Sequence, residues 1–140
     1  AEPVATATIL LVEDEEDVRA LLCELLETQG HCVLEANGPV QALLVSSAYR
    51  GHIDLLLTDV VMPGGSGRDL ARELLARRDG LKVLYMSGYT EHESAVPALD
   101  TGVPFLPKPF TRERLADQLG QILGRRRVQP DVQALTGTDD

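Results

Sequence analysis

Basic residues are scarce in this chain. Thirteen lysines and arginines face 22 aspartates and glutamates over 140 residues, a net charge of −9. That deficit argues against nucleic acid as a direct ligand, because binding to a phosphate backbone rests on clustered Lys and Arg. Cysteine is scarce too, with Cys23 on a helical pattern and Cys32 on a strand pattern. Two such residues make no disulfide framework, and both read as small core residues of a reducing compartment. Long apolar runs are missing: no stretch approaches the roughly 20 residues of a membrane span. The opening Ala1-Glu2-Pro3-Val4-Ala5-Thr6-Ala7 carries no basic region and does not read as a signal peptide. A cytoplasmic location without membrane insertion is therefore expected. His31, His52 and His92 have no metal-ligand spacing and read as solvated or capping residues. Internal repeats and low-complexity segments are absent.

What is present suits one soluble domain. The apolar fraction is 44% and the charged fraction 25%, and 140 residues can bury a core of their own. The hydrophobic period switches regularly along the chain. Residues 8–13 read as a buried strand. Val18, Leu21, Leu22, Leu25 and Leu26 then form the stripe of an amphipathic helix, stopped by Gly30. Cys32-Val33-Leu34 is a second strand. Asn37-Gly38-Pro39 opens a second helix with Val40, Leu43 and Leu44 as its apolar face and Gly51 at its end. Residues 53–58 form a third strand, apolar nearly throughout, as a strand covered on both faces would be. The loop Met62-Pro63-Gly64-Gly65-Ser66-Gly67 leads to a helix carrying Leu70, Leu74 and Leu75. Residues 82–86 are a fourth strand, followed by a short helix weakened by Pro97. Residues 103–106 are a fifth strand. Thr111 caps a last helix with Leu115, Leu119, Ile122 and Leu123 inward, and Gly124 ends it. Five βα units in succession imply an α/β domain with right-handed crossovers. Residues 1–7 read as an N-terminal tail, 8–124 as the domain and 125–140 as a mobile tail or linker. Arg125-Arg126-Arg127 fits a solvated helix end better than a binding patch.

Polar residues close the apolar runs. Glu13 and Asp14 follow the first, Asp59 the third, Ser87 the fourth and Lys108 the fifth. Taken singly, Asp14 reads as a helix cap, Asp59 as a turn former, Ser87-Gly88 as a turn and Lys108 as a solvated lysine. Their succession on strand ends reads otherwise. Ligands of a doubly wound sheet bind beyond the carboxyl ends of the strands, where the winding reverses. Three carboxylates gathered there repel one another unless a hard divalent ion joins them. A carboxylate beside such an ion can attack phosphorus, with Lys108 neutralising charge and Ser87 donating a hydrogen bond.

The segments Val12-Glu13-Asp14-Glu15, Thr58-Asp59-Val60-Val61-Met62-Pro63, Met86-Ser87-Gly88-Tyr89 and Pro107-Lys108-Pro109-Phe110 resemble the receiver domain of two-component response regulators over residues 8 to 124. The last two look most like receivers fused to hybrid sensor histidine kinases. The resemblance implies a flavodoxin-like doubly wound (βα)5 fold with a five-stranded parallel sheet in the order 2-1-3-4-5. It implies that Asp59 is the phosphoacceptor, charged by a sensor histidine kinase or a histidine phosphotransfer domain. Asp14, Asp59 and the main-chain carbonyl of Val61 would hold Mg2+, with Glu13 acting directly or through water. Ser87 would be the switch hydroxyl, Phe105 the switch aromatic and Lys108 the partner of the phosphoryl group, with a cis Lys108-Pro109 bond. Readout would use the face of the fourth helix, fifth strand and fifth helix, with an unassigned downstream output domain or protein and a phosphorylation-dependent homodimer as an option.

Some positions depart from the commonest family pattern. Ser87 stands where Thr is frequent, Phe105 lacks a tyrosine hydroxyl, and Gly65 replaces a larger apolar residue, which predicts a looser loop. Val61 and Tyr89 occupy positions that influence dephosphorylation in the family. Two other readings compete. One is a Mg2+-dependent phosphohydrolase working through an aspartyl phosphate, which usually needs a second carboxylate where Val61 stands. The other is a docking module that is never phosphorylated, against which the complete acid set, Ser87 and Lys108 argue.

Overall fold

The structure is a computed structural model and describes residues 6–87 and 104–124. The short helix expected before Pro97, Tyr89, His92 and the Arg125–Asp140 tail lie outside the described residues. The elements run β1 (Thr8–Val12), α1 (Glu16–Thr28), β2 (Cys32–Ala36), α2 (Pro39–Ala48), β3 (Leu55–Asp59), β4 (Val61–Met62), β5 (Gly65–Ser66), α3 (Gly67–Arg77), β6 (Lys82–Ser87), β7 (Phe105–Pro107) and α4 (Arg112–Leu123). A five-stranded parallel sheet has the order β2-β1-β3-β6-β7. That is the expected 2-1-3-4-5 order, with the small β4–β5 hairpin interposed in the chain.

Strand residues alternate between two cores, because successive side chains leave opposite faces. Ile9, Leu11, Leu55, Leu57, Leu84, Met86 and Leu106 pack with Leu22 and Leu26 of α1 and with Leu115 and Leu119 of α4. Leu10, Val12, Leu56 and Tyr85 pack with Ala42 of α2 and with Leu70, Ala71 and Leu74 of α3. With both faces covered, β3 is buried along its whole length. No described helix is long and apolar enough to cross a membrane.

Helix ends follow local chemistry. Gly30 has φ 96° and donates to Glu27 O, while His31 N donates to Leu26 O. This is the Schellman pattern that satisfies the last carbonyls of α1. Ser66 and Thr111 cap α3 and α4 by accepting from Asp69 N and Arg114 N, each at 3.0 Å.

Several readings are corrected. Val40 and Leu44 of α2 are 71% and 65% exposed, and the small residues Ala42 and Ser46 face inward. Ser46 tolerates burial because Arg78 Nε donates to its Oγ at 2.8 Å. The same helix ends at Ala48 and not at Gly51. Leu21 and Leu75 are exposed, because the buried stripes of α1 and α3 are satisfied by their i+1 and i−1 neighbours Leu22 and Leu74. Cys32 is exposed, since β2 is an edge strand, and Cys23 is half-buried. His31 is buried, not solvated; its Nδ1 accepts from Ala7 N at 3.1 Å, so it serves the start of β1 and not a helix end. The loop after Met62 is a paired hairpin, and a Cβ on Gly65 (φ 155°) would come within 3.3 Å of Pro39 Cγ. The hairpin thus lies beside Pro39 at the first turn of α2.

Candidate functional site

Register alone assembles the site. Val12 lies opposite Thr58, which sets Glu13 beside Asp59. Asp59 lies opposite Met86, and Ser87 opposite Pro107, the residue before Lys108. Each residue sits where its strand ends because the apolar run that precedes it is consumed by the two cores. Backbone bonds hold these ends together: Glu13 N donates to Ala36 O, Val60 N to Met86 O and Lys108 N to Ser87 O at 2.7 Å. The Lys108-Pro109 bond is cis, as expected.

Glu13 and Asp59 are buried, at 1% and 2% exposure, whereas Asp14 is exposed at the rim. Asp14 does not cap α1; the N-cap is Glu15, and it makes no side-chain cap bond. Lys108 Nζ stands 2.7 Å from both Glu13 Oε1 and Asp59 Oδ1. Glu13 Oε2 accepts from Glu15 N at 3.1 Å. Burial, helped by the Glu13 carboxylate, pushes the Asp59 carboxyl up to about 8 against the pull of Lys108. Burial also opposes ionisation of Glu13, but hydrogen bonds from Lys108 and Glu15 N outweigh it and hold its carboxyl below the usual range. Burial disfavours the Lys108 ammonium as well, yet the two carboxylates raise its proton affinity on balance.

Glu13, Asp14 and Asp59 each offer an oxygen, all within 4.8 Å of one another. Two buried acids and one exposed acid, with the Asp59 carboxyl pushed up to about 8 chiefly by burial, are a donor set that a hard cation would relieve. The residues present therefore fit a divalent ion. They open into a cavity of about 500 Å³ bordered by Val61, Met62, Pro63 and Val18. Ser87 Oγ is buried without a hydrogen-bond partner among the described residues, a costly state unless a ligand completes it. Phe105 is half-buried on β7 opposite Tyr85.

Two contributors escaped the reading of the sequence. Gly67 opens α3 so close to β3 that any Cβ would overlap the Asp59 carbonyl oxygen, and its N–H donates to Val60 O. Arg19 Nη1 donates to Glu13 O at 2.8 Å. A cation in the first turns of a helix opposes the dipole, and that mismatch was the available signal.

The sequence model of the response regulator receiver domain matches residues 9–120. The chain belongs to that family. As a receiver it is a regulatory phosphoacceptor domain of phosphorelay signalling. It is 39% identical over 123 residues to the sensor kinase CckA of Brucella abortus (strain 2308), covering 86% of this chain and 13% of CckA. It is 36% identical over 124 residues to the response regulator MprA of Mycobacterium leprae (strain TN), covering 88% of this chain and 53% of MprA. The receiver thus spans a minor part of the first relative and about half of the second. The crystal structure of the receiver domain from the hybrid histidine kinase CckA matches with a TM-score of 0.69 and 37% identity, over 83% of this chain and 98% of that one. TrrA from Thermotoga maritima, solved in complex with Mg2+ and BeF, matches with a TM-score of 0.69 and 28% identity, over 84% and 99%.

Proposed function

We propose that this receiver, with residues 8–124 as its body, accepts a phosphoryl group from a phosphohistidine onto Asp59. The observation that carries the reading is the buried Asp59 carboxylate, in contact with Lys108 and within 4.8 Å of two further acids. Asp59 attacks phosphorus; the new O–P bond forms as the N–P bond of the phosphohistidine breaks and the imidazole leaves with the electron pair. Asp14, Asp59 and the main-chain carbonyl of Val61 hold Mg2+, which supplies charge neutralisation when bound. Glu13 has both oxygens engaged, by Lys108 and by Glu15 N, which suits an indirect role toward the ion. Lys108 exchanges its Asp59 contact for a phosphoryl oxygen. Ser87 turns its unpartnered hydroxyl to the same group, and Phe105 follows it inward. The surface carrying β7 and α4 changes in consequence. Water later hydrolyses the acyl phosphate without a second carboxylate at Val61 to assist, so turnover is that of a switch, not of a phosphohydrolase. The donor is a sensor histidine kinase or a histidine phosphotransfer domain, in keeping with the likeness to CckA.

Incubation with acetyl phosphate and Mg2+ is expected to add one phosphoryl mass to the protein and none to Asp59→Asn. Undiminished labelling of the variant would overturn the assignment.

A further inference from the structure

Arg19 is electrostatically out of place twice. It sits one turn into α1 (Glu16–Thr28), near the positive pole of the peptide dipoles. It also flanks the acids proposed to hold a cation. A long cation so placed should reach into solvent, yet only 18% of its side chain is exposed. Its guanidinium is divided between two acceptors: Nη1 donates to Glu13 O at 2.8 Å and Nε to Glu35 Oε1 at 3.3 Å. Glu35 belongs to β2, and its other oxygen accepts from Cys23 Sγ at 3.5 Å. Burial and the neighbouring Glu35 push the Cys23 thiol up to about 12, so it remains a neutral donor.

The effect converges on one peptide segment. Glu13 N is held by Ala36 O at 3.1 Å, again from β2. Glu13 O is held by Arg19, itself anchored on β2 through Glu35. The turn carrying Glu13, Asp14 and Glu15 is thereby fastened to β2 on both sides of one residue, while the main-chain bond from Arg19 N to Glu15 O at 2.9 Å belongs to the first turn of α1.

We propose that Arg19 is a positioning residue of the receiver site: it clamps the Glu13–Glu15 turn onto β2 and so aims Asp14 and Glu13 at the bound cation. The inference rests on the function proposed above and names a residue outside its acid set. It also makes a prediction of unusual sign. As a bare positive charge, Arg19 repels a cation, and its removal should tighten Mg2+ binding. As a clamp, its removal should weaken it. A lysine cannot span both acceptors as a planar guanidinium does, so Arg19→Lys keeps the charge and loses the clamp.

Wild type, Arg19→Gln, Arg19→Lys and Glu35→Gln should be compared by calorimetric Mg2+ titration. Amide hydrogen exchange should be followed at Glu15 in the absence of metal, with thermal unfolding recorded alongside. Arg19→Gln is expected to bind Mg2+ roughly tenfold more weakly, the worth of a hydrogen bond from a charged group. Arg19→Lys and Glu35→Gln should weaken binding in the same direction by less. Glu15 should exchange faster in all three. Tighter or unchanged binding together with unchanged exchange at Glu15 would overturn the clamp. Should Arg19→Gln fail to fold, unchanged exchange in the other two variants would do the same. A wild type that ignores Mg2+ while its variants exchange faster at Glu15 would refute the cation reading and leave the clamp in place.

Discussion

At the amino end of the sheet, polar side chains are occupied by backbone. Asp54 Oδ2 accepts from Thr8 N at 2.8 Å and His31 Nδ1 from Ala7 N. Arg78 donates to Ser46 Oγ and to the carbonyls of Ser46, Tyr49 and Gly51, all between 2.7 and 2.9 Å. These bonds hold the start of β1 and cover the carbonyls that α2 leaves behind at its end. At the carboxyl end the same kinds of group are left in tension: Asp59 is pushed up to about 8, and Ser87 Oγ is buried without a partner among the described residues. At the amino end most of these groups serve the fold, while at the carboxyl end they suit the ligand of the function proposed above. His31 Nε2 and both side-chain polar atoms of Gln29, buried and also without partners among the described residues, are where the amino end is incomplete.

The comparison can be broken most forcefully at Arg78. Arg78→Ala should lose about 3 kcal/mol of stability in urea unfolding, since four bonds to α2 and its exit vanish and partly buried carbonyls are stranded. Its phosphoryl uptake per folded molecule should be unchanged. A variant that is stable but labels poorly would mean the two ends are coupled.

A second effect is expected from pH at the other end. The Asp59 carboxyl is raised from 3.8 to about 8 on folding. Its contribution to stability is therefore complete below about pH 4 and is lost as pH rises toward 8. Metal-free protein should lose stability across that window, and Asp59→Asn should flatten the profile. A slope as steep in the variant as in wild type would show that the tension lies elsewhere.

The smallest effect belongs to His31. Burial holds its imidazole below the usual 6.5, with Asp54 opposing. A depressed value means that its contribution is present above 6.5 and is lost as pH falls through the folded value. Amide exchange at Ala7 should accelerate, relative to the rest of β1, as pH falls below the usual imidazole value of 6.5 and through the lower folded one. A constant ratio would show that Ala7 does not depend on the neutral ring.

The two ends were also unequally legible in the sequence. Glu13, Asp59, Ser87 and Lys108 stand out because each interrupts or closes an apolar run, and a parallel sheet turns that linear fact into a spatial one. The roles of Arg78 and His31 left no such trace, because each pairs with main-chain atoms more than 20 residues away. The face of α2 was misread for a related reason. Leu43 packs on the core as read, but α2 carries no charge to mark its outer side, and Val40 and Leu44 are exposed while Ala42 and Ser46 are buried against the sheet. The β4–β5 hairpin spans two residues a side, too short for any period to show.

Gly67 carries an evolutionary consequence. Every alternative residue brings a Cβ into the carbonyl of Asp59, so the distance between α3 and β3 is not adjustable by single substitutions. Neighbouring Val61 has latitude, being half exposed, whereas Gly64 has open space around it but a φ of 91° that disfavours any side chain. On the function proposed above, substitutions that tune the lifetime of a phosphorylated Asp59 are expected on the hairpin and the rim, where side chains can change size without moving β3.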